Sequence, residues 1–131
     1  MVSFEVPGPP HAKRRPRFGK GFTYTDKATV NAEAFIRLAA SEHFPEPMAG
    51  AVSLDVTAVF APPKSWSTRK TQQALGQPHQ QRPDLDNIFK SVADGLNGVA
   101  YADDSQITEF SCRKVWGEVA KTIVRIAEVS R

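Results

Sequence analysis

Residues 82–98 of the 131-residue chain read RPDLDNIFKSVADGLNG. Apolar side chains recur in this segment at spacings of one, three and four, the pattern of a helix with one buried face; they are Ile88, Phe89, Val92, Ala93 and Leu96. The pattern predicts a helix over residues 85–97, with Gly98 suited to the C-terminal cap. At the other end, Asp84 or Asp86 can cap the first turn.

The segments on either side of this helix are mainly typical of strands. Strict alternation of apolar and polar side chains predicts a strand over residues 51–60. Further strands are predicted at residues 2–6, 22–24, 107–116 and 119–127. A tight turn at residues 116–118 would join the last two strands as a β-hairpin. We therefore expect an α/β protein of the α+β type, with a mixed sheet of about four to five strands packed by two main helices.

The other main helix is predicted over residues 27–43, with Asp26 as its N-cap. Its apolar side would consist of Val30, Ala34, Phe35, Ile36 and Leu38. The segment at residues 11–21 is predicted to be a loop that is closed by glycines. The polar connector at residues 64–82 is predicted to form part of the rim of a functional site. It would contain a short helix near residues 70–75 or be a mobile connector.

Length and composition indicate a single domain over residues 1–131. The chain lacks a run of about 20 apolar residues, and its N-terminus lacks the features of a signal peptide, so no membrane association and a cytoplasmic location are expected. The single cysteine, Cys112, agrees with this location and is interpreted as a small buried residue instead of a nucleophile. No P-loop or dinucleotide-binding motif is present, so no nucleotide cofactor is expected.

Positive charge is concentrated at the start of the chain. Five of the 17 Lys and Arg residues lie within residues 1–20, against a single acid, Glu5. These basic residues are Lys13, Arg14, Arg15, Arg17 and Lys20. A local basic cluster attracts a polyanion by long-range steering and counterion release. A solvated basic loop without a partner would have the same composition, so both interpretations stay open at this point.

The spacing of Asp84 and Asp86 indicates a metal site. Side chains alternate along an extended chain, so two aspartates separated by one residue point to the same side. A divalent cation relieves their mutual repulsion and is held by hard oxygen ligands, for which magnesium is the natural choice. The alternative is that both acids serve only as helix caps.

A second acidic pair, Asp103 and Asp104, follows the helix. A helix of about 12 residues is roughly 18 Å long, so the return loop must bring Asp104 back toward Asp84 and Asp86 if the three share a metal. The alternative is that the second pair only forms a turn.

Lys90 lies four residues from Asp86 and from Asp94 on the predicted helix, so the three side chains share one face. The lysine could bind a scissile phosphate, or the three residues could form two exposed ion pairs worth about 0.3–0.5 kcal/mol each. The three histidines are far apart in sequence and lack metal-ligand spacing. His11 and His79 could face a phosphate, but they are interpreted as exposed loop side chains.

Four motifs and one strand residue together are specific for a known family. The motifs are Arg-Pro-Asp-Leu-Asp-Asn-x-x-Lys at 82–90, Asp-Gly-Leu-Asn-Gly at 94–98, Tyr-x-Asp-Asp-x-Gln-Ile at 101–107 and, more weakly, Pro-Gly-Pro-Pro-x-x-Lys-x-Arg-Pro-Arg at 7–17. Lys114, in the following strand, also fits. The chain resembles the RusA family of Holliday-junction resolvases over nearly its whole length.

This resemblance implies a homodimeric, magnesium-dependent endonuclease that acts on four-way DNA junctions in recombination and repair and is often encoded by prophages. It implies that Asp84, Asp86 and Asp104 are catalytic and bind the metal. Lys90 would support catalysis, and Asp103 is a further candidate ligand. The basic residues at positions 13–20 would bind the DNA backbone.

Two other functions stay open from the sequence. A non-catalytic dimeric DNA-binding module would keep the basic segment and use the acids only as caps and turns. A magnesium-dependent phosphohydrolase for small substrates would instead need an enclosed pocket without a basic path for DNA.

Overall fold

The chain alternates strands and helices. A computed structural model describes residues 1–13, 17–19, 21–24 and 27–129. Its elements, in chain order, are β1 (Val2–Pro7), β2 (Arg17–Gly19), β3 (Phe22–Tyr24), α1 (Lys27–Ser41), β4 (Val52–Phe60), α2 (Thr68–Ala74), α3 (Leu85–Gly95), a 3-10 turn (Asp104–Gln106), β5 (Ile107–Trp116) and β6 (Lys121–Glu128). Across the described ranges, no helix has the length and hydropathy required to cross a membrane.

The main sheet has four strands in the order β1-β6-β4-β5. β4 pairs parallel with β5 and antiparallel with β6, and β6 also pairs antiparallel with β1. Helices α1 and α3 pack against each other and against the sheet. The predicted α+β architecture, a mixed sheet packed by two main helices, is therefore confirmed.

The predicted hairpin between the last two strands is wrong, because β4 lies between β5 and β6. The connection from β5 to β6 crosses the end of β4, where the amide of Gly117 donates to the carbonyl oxygen of Phe60 at 2.9 Å. A Cβ added at Gly117 would lie 2.5 Å from Cγ1 of Val59, so this close crossing requires glycine. The inward side chains of β4 are fully buried, as is typical of a strand in the middle of a sheet. The short turn sequence between β5 and β6 gives no sign that another strand lies between them.

The core lies between the sheet and the two helices. Its fully buried side chains include Leu54, Val56, Val124 and Ile126 from the sheet. The predicted buried stripe of α3 is confirmed, with Phe89 half-buried at its edge. Cys112 is half-buried against this core, and burial raises the pKa of its thiol to about 11. A thiol with that pKa stays protonated at neutral pH, which fits packing better than nucleophilic chemistry.

The predicted apolar side of helix α1 is mostly wrong. Its buried residues are Thr29, Ile36 and Ala40. Of the five predicted apolar residues only Ile36 is buried; Ala34 is exposed, and so are Val30 by 51%, Phe35 by 57% and Leu38 by 71%. The buried face is the one that meets α3, where a Cβ added at Gly95 would lie 3.0 Å from Ile36. The predicted N-cap, Asp26, lies outside the described residues.

The connector at residues 64–82 contains α2 and a segment that follows the edge of β5. The amide of His79 donates to the carbonyl oxygen of Lys114 at 3.1 Å, and the amide of Trp116 donates to that of Gln77 at 3.0 Å. The prediction that His79 is exposed is wrong, because its ring stacks on Phe60 at a centroid distance of 4.0 Å and is buried. Burial and the charge of Lys114 both lower the pKa of His79.

The N-terminal segment is tied to α3. The amide of Lys13 donates to the carbonyl oxygen of Asn87 at 2.9 Å, in the first turn of that helix. Further along, residues 17–19 form β2, which pairs antiparallel with β3 as a separate ribbon. The prediction of a loop over residues 11–21 is therefore wrong at these three positions, where backbone pairing with a second strand replaces it.

Candidate active site

Two aspartates mark the start of α3. Asp84 occupies the N-cap position with extended backbone angles (φ −71°, ψ 146°), but among the described residues its side chain makes no capping hydrogen bond. The carboxylate of Asp86 accepts a hydrogen bond from the amide of Asn87 at 3.0 Å. Both aspartates are exposed, and the positive end of the helix dipole partly offsets their repulsion. The carboxylate of Asp84 therefore has no structural role as a cap that would compete with a ligand.

Lys114 on β5 holds the chain that leads into Asp84. Its Nζ donates hydrogen bonds to the carbonyl oxygens of Gln81 at 2.6 Å and of Pro83 at 2.8 Å. Since Pro83 directly precedes Asp84, these bonds fix the backbone from which the Asp84 carboxylate projects. The sequence indicated Lys114 only through the family resemblance, because a lysine in a strand carries no local signal of a partner in a distant loop.

The two aspartates of the second acidic pair, Asp103 and Asp104, have different surroundings. Asp103 caps the 3-10 turn, and its carboxylate accepts a hydrogen bond from the amide of Ser105 at 3.0 Å. Hydrogen bonds from the Ser105 side chain and, to a lesser extent, from its main-chain amide lower the pKa of Asp103. The side chain of Gln106 completes a capping box with Asp103. Asp104 is half-buried beside the end of α3.

The carboxyl groups of Asp104 and Asp94 are neighbours at the end of α3. Burial raises the pKa of Asp104, and so do a side-chain hydrogen bond with Asp94 and the charges of Asp103 and Asp94. A hydrogen bond with Asn97 acts in the opposite direction. Asp104 is therefore held in a crowded acidic environment, which differs from the exposed start of the helix.

Lys13 partly neutralises this end of the helix. Its Nζ forms ion pairs with Asp94 and, at 3.3 Å, with Glu33. Burial lowers the pKa of Lys13, but the hydrogen bonds and charges of Asp94 and Glu33 outweigh that effect and raise it. A DNA contact by Lys13 stays a prediction, in competition with these ion pairs. Of the other predicted contacts, Arg17 lies in β2, while Arg14, Arg15 and Lys20 lie outside the described residues.

Acids from both ends of α3 line two adjoining cavities. The first, of about 490 Å³, is lined by Asp84, Leu85, Asp86, Phe89, Phe110 and Cys112. The second, of about 410 Å³, is lined by Asp86, Phe89, Lys90, Ala93, Asp94, Asp104, Ile107 and Phe110. Asp86 belongs to both cavities, so the predicted catalytic residues share one surface. Across the part of the chain that the structure describes, no three His, Cys, Asp or Glu side chains form a group that could hold a metal ion. The joint metal site therefore stays a prediction.

A third cavity, of about 860 Å³, lies between the N-terminal segment and the start of α3. Its lining includes Lys13, Arg82, Asp84 and Asp86. His11 also lines it and is held by a 3.0 Å hydrogen bond between its Nε2 and Oγ1 of Thr29. Cationic and acidic side chains thus line the same cavity, an arrangement that suits a phosphate group beside a metal ion.

The donor chemistry of the three predicted ligands fits magnesium. Magnesium prefers oxygen ligands, keeps several waters, and is usually bound through one or two carboxylates together with substrate phosphates. The exposed carboxylates of Asp84 and Asp86 supply such oxygens and leave space for water and phosphate. A metal bound in this way does not need a preformed cage of three side chains.

Comparison with known proteins identifies the class of the protein as an endodeoxyribonuclease. Residues 7–127 match the family described as Endodeoxyribonuclease RusA. The match includes Lys90, Lys114 and all of the predicted metal ligands. The chain therefore belongs to the RusA family, which confirms the resemblance found in the sequence. Members of this family resolve Holliday junctions and in general depend on a divalent metal.

A bacterial relative is similar along its whole length. The uncharacterized protein YqaN of Bacillus subtilis (strain 168) is 35% identical over 139 residues. The alignment covers 98% of this chain and 97% of YqaN. The two proteins are therefore similar from end to end.

Proposed function

We propose that this protein is a magnesium-dependent, structure-selective endodeoxyribonuclease that resolves four-way DNA junctions by paired symmetric nicks. Membership of the RusA family over residues 7–127 carries the proposal. The exposure of Asp84, Asp86 and Lys90 supports it, because a DNA arm can reach these side chains at the surface. A phosphohydrolase for small substrates would instead enclose its acids. The protein would act in the cytoplasm, in DNA recombination and repair.

The metal would be held at the start of α3. Asp84 and Asp86 would supply exposed carboxylate oxygens, and Asp104 would contribute from the adjoining cavity. Asp103 is a further candidate, although capping already engages its carboxylate. When bound, the ion supplies Lewis acidity and makes water a stronger nucleophile at neutral pH.

Two lysines would assist from different positions. Lys90 is exposed and shares a cavity with Asp86 and Asp104, so its ammonium group would bind a phosphate oxygen and stabilise the negative charge that develops there. Lys114 would act indirectly, since its hydrogen bonds to the main chain keep Asp84 oriented.

Two symmetric nicks require two equivalent sites, which a two-fold homodimer supplies. The basic segment would bind the phosphate backbone of the arms through Arg14, Arg15, Arg17 and Lys20. Lys13 would contribute less than these residues, because DNA would have to displace it from Asp94 and Glu33. Selectivity for junctions would then come mainly from DNA shape, because phosphate contacts carry no base information.

Incubation of the protein with a synthetic four-way junction, with and without magnesium, tests the proposal. We expect symmetric nicks in opposing strands that appear only with the metal, while a linear duplex of the same sequence stays intact. Junction binding without cleavage at any magnesium concentration would support the non-catalytic dimeric DNA-binding module. Equal cleavage of junction and duplex would contradict structure selectivity.

A further inference from the structure

Phe110 lies at a core-facing position of β5 but outside the core. It pairs in the sheet register with Leu54 of β4, whose side chain is fully buried. Neighbouring residues in register point to the same face of a sheet, yet Phe110 is 66% exposed. β5 is an edge strand, and the ring of Phe110 packs against Phe89 of α3 at a centroid distance of 4.5 Å. The helix thus supports one side of the ring and leaves much of it open.

The open ring lies among the predicted catalytic residues. Phe110 lines the cavity that contains Asp84 and Asp86, and also the cavity that contains Asp86 and Asp104. A single exposed apolar side chain is ordinary on a protein surface. A supported aromatic ring between carboxylates is different, because it offers a flat apolar surface beside the place where a phosphate would bind.

We propose that Phe110, backed by Phe89, stacks on a nucleobase next to the phosphate that is cut. This inference rests on the proposed function and adds a DNA contact to it. Every base has a π-face, so an aromatic side chain can stack on an unpaired or splayed base of any sequence. A phosphate held near Asp86 would bring its own bases close to the ring, because Phe110 lines both cavities that Asp86 lines.

A base fits this position better than a second protein chain. A protein that covered Phe110 would also cover Asp86 and Asp104 and would close the site to DNA. A two-fold contact between two copies through Phe110 would bring the acidic surroundings of both rings together, and like charges in a contact are unfavourable. An uncharged base avoids this repulsion, while its phosphate provides the negative charge that a metal and Lys90 would bind.

Phe35 offers a matched control. It is 57% exposed, similar to Phe110, but lies on α1. It lines an apolar groove with Val6 and Ile36, and none of the predicted catalytic acids lines that groove. Removal of the Phe35 ring therefore changes exposed aromatic area without changing the acidic site.

The test uses four-way junctions with 2-aminopurine at each branch-point nucleotide in turn, bound without magnesium so that no strand is cut. We expect the wild-type protein to change the fluorescence of one symmetry-related set of positions. Phe110→Ala should abolish this change and weaken junction binding by about 5- to 150-fold, the range for loss of one base stack. Phe110→Trp should retain both properties, Phe110→Leu should resemble Phe110→Ala, and Phe35→Ala should resemble the wild type.

Three results separate the inference from its alternatives. Unchanged affinity and fluorescence in Phe110→Ala would overturn it. Conversion of that variant from dimer to monomer in sedimentation without DNA would assign the ring to a protein contact and would also overturn it. A wild-type protein that neither binds nor cuts the junction would contradict the proposed function itself. Thermal melts check folding, and Phe110→Leu carries the test if Phe110→Ala does not fold.

Discussion

The two ends of α3 carry acidic residues in opposite situations. At its start, Asp84 and Asp86 are exposed, and within the described chain the Asp84 side chain makes no capping hydrogen bond. At its end, Asp94 is ion-paired with Lys13, and Asp104 is half-buried beside Asp94. The aspartates at the start of α3 are therefore surrounded by solvent, whereas those at its end contact other protein groups.

This difference bears on which acids bind a metal first. A carboxylate that already has a protein partner must give up that interaction to become a ligand, whereas an exposed carboxylate gives up only water. We therefore expect the start of α3 to dominate metal binding, with Asp104 contributing less to affinity than Asp86.

Asp86→Asn should cause the largest loss, because Asp86 lines all three cavities around the start of α3. Asparagine is nearly isosteric and caps a helix about as well as aspartate, so the fold should persist while the ligand charge is lost. We expect junction cleavage in saturating magnesium to fall by at least about 100-fold, with binding preserved in a gel shift. Glu128→Gln makes the same chemical change at an exposed position of β6 and serves as the control. Near-wild-type cleavage by a folded Asp86→Asn protein would remove Asp86 from the catalytic residues.

Lys114→Met tests whether β5 holds the exposed end of the helix in place. Loss of the hydrogen bonds to Gln81 and Pro83 should raise the half-saturating magnesium concentration by about 10- to 100-fold, as other outer-shell changes do. The maximal cleavage rate should change less. Lys114→Arg can donate to the same carbonyl groups and should restore most of the affinity. The magnesium-induced rise in Tm without DNA measures the same effect independently of cleavage.

Lys121→Met is the matched control for Lys114. It breaks the 3.3 Å ion pair between Lys121 and Glu5, on the two strands farthest from β5. We expect its magnesium dependence to equal that of the wild type. An equal increase in the half-saturating magnesium concentration in both variants would indicate a general loss of stability. It would contradict a local role of Lys114 in orienting Asp84.

Because Lys13 is ion-paired with Asp94 at the end of α3, we expect it to contribute less to DNA binding than Arg14 and Arg15. Arg14→Ala and Arg15→Ala should each reduce the log–log salt slope of junction binding by about 0.9 per lost phosphate contact. Lys13→Ala should leave the slope nearly unchanged, because Asp94 and Glu33 already neutralise that lysine. Fluorescence anisotropy across a salt series measures these slopes. An equal decrease in all three variants would restore Lys13 as a DNA contact.

The smallest effect concerns stability. Lys13→Met should lower the free energy of unfolding by about 0.5–1 kcal/mol at pH 8, the range for partly exposed ion pairs. Burial lowers the pKa of Lys13, but Asp94 and Glu33 raise it above 10.5 overall. A lysine whose pKa is raised by folding stabilises the folded state. This stabilisation is complete at pH values below the unfolded-state pKa and is lost as the pH rises through the folded-state pKa. Urea unfolding at pH 8 and pH 11 should therefore show a smaller difference between wild type and variant at pH 11. A constant difference would indicate lost packing instead of lost charge.

The elements of the fold followed from local patterns in the sequence. The spacing of apolar residues over residues 85–97 and the alternation over residues 51–60 each depend on neighbours within one element. Helix α3 and strand β4 therefore lie close to their predicted positions. The family followed from motifs of the same kind, since the aspartates of residues 82–107 are close together in sequence. Helix α1 shows the limit of such patterns, because apolar content did not reveal which face α3 would cover.

Contacts between distant parts of the chain were decided by the tertiary structure alone. Strand order separated β5 from β6, and the ion pair between Lys13 and Asp94 joins residues 81 positions apart. The hydrogen bond from Lys114 to Pro83 spans 31 positions. Phe110 follows the inward alternation of its strand, yet it is exposed because β5 is at the sheet edge and α3 covers it incompletely. Periodicity determines which face of an element is apolar, but only the packing of elements against one another determines which of those faces are covered and which side chains meet.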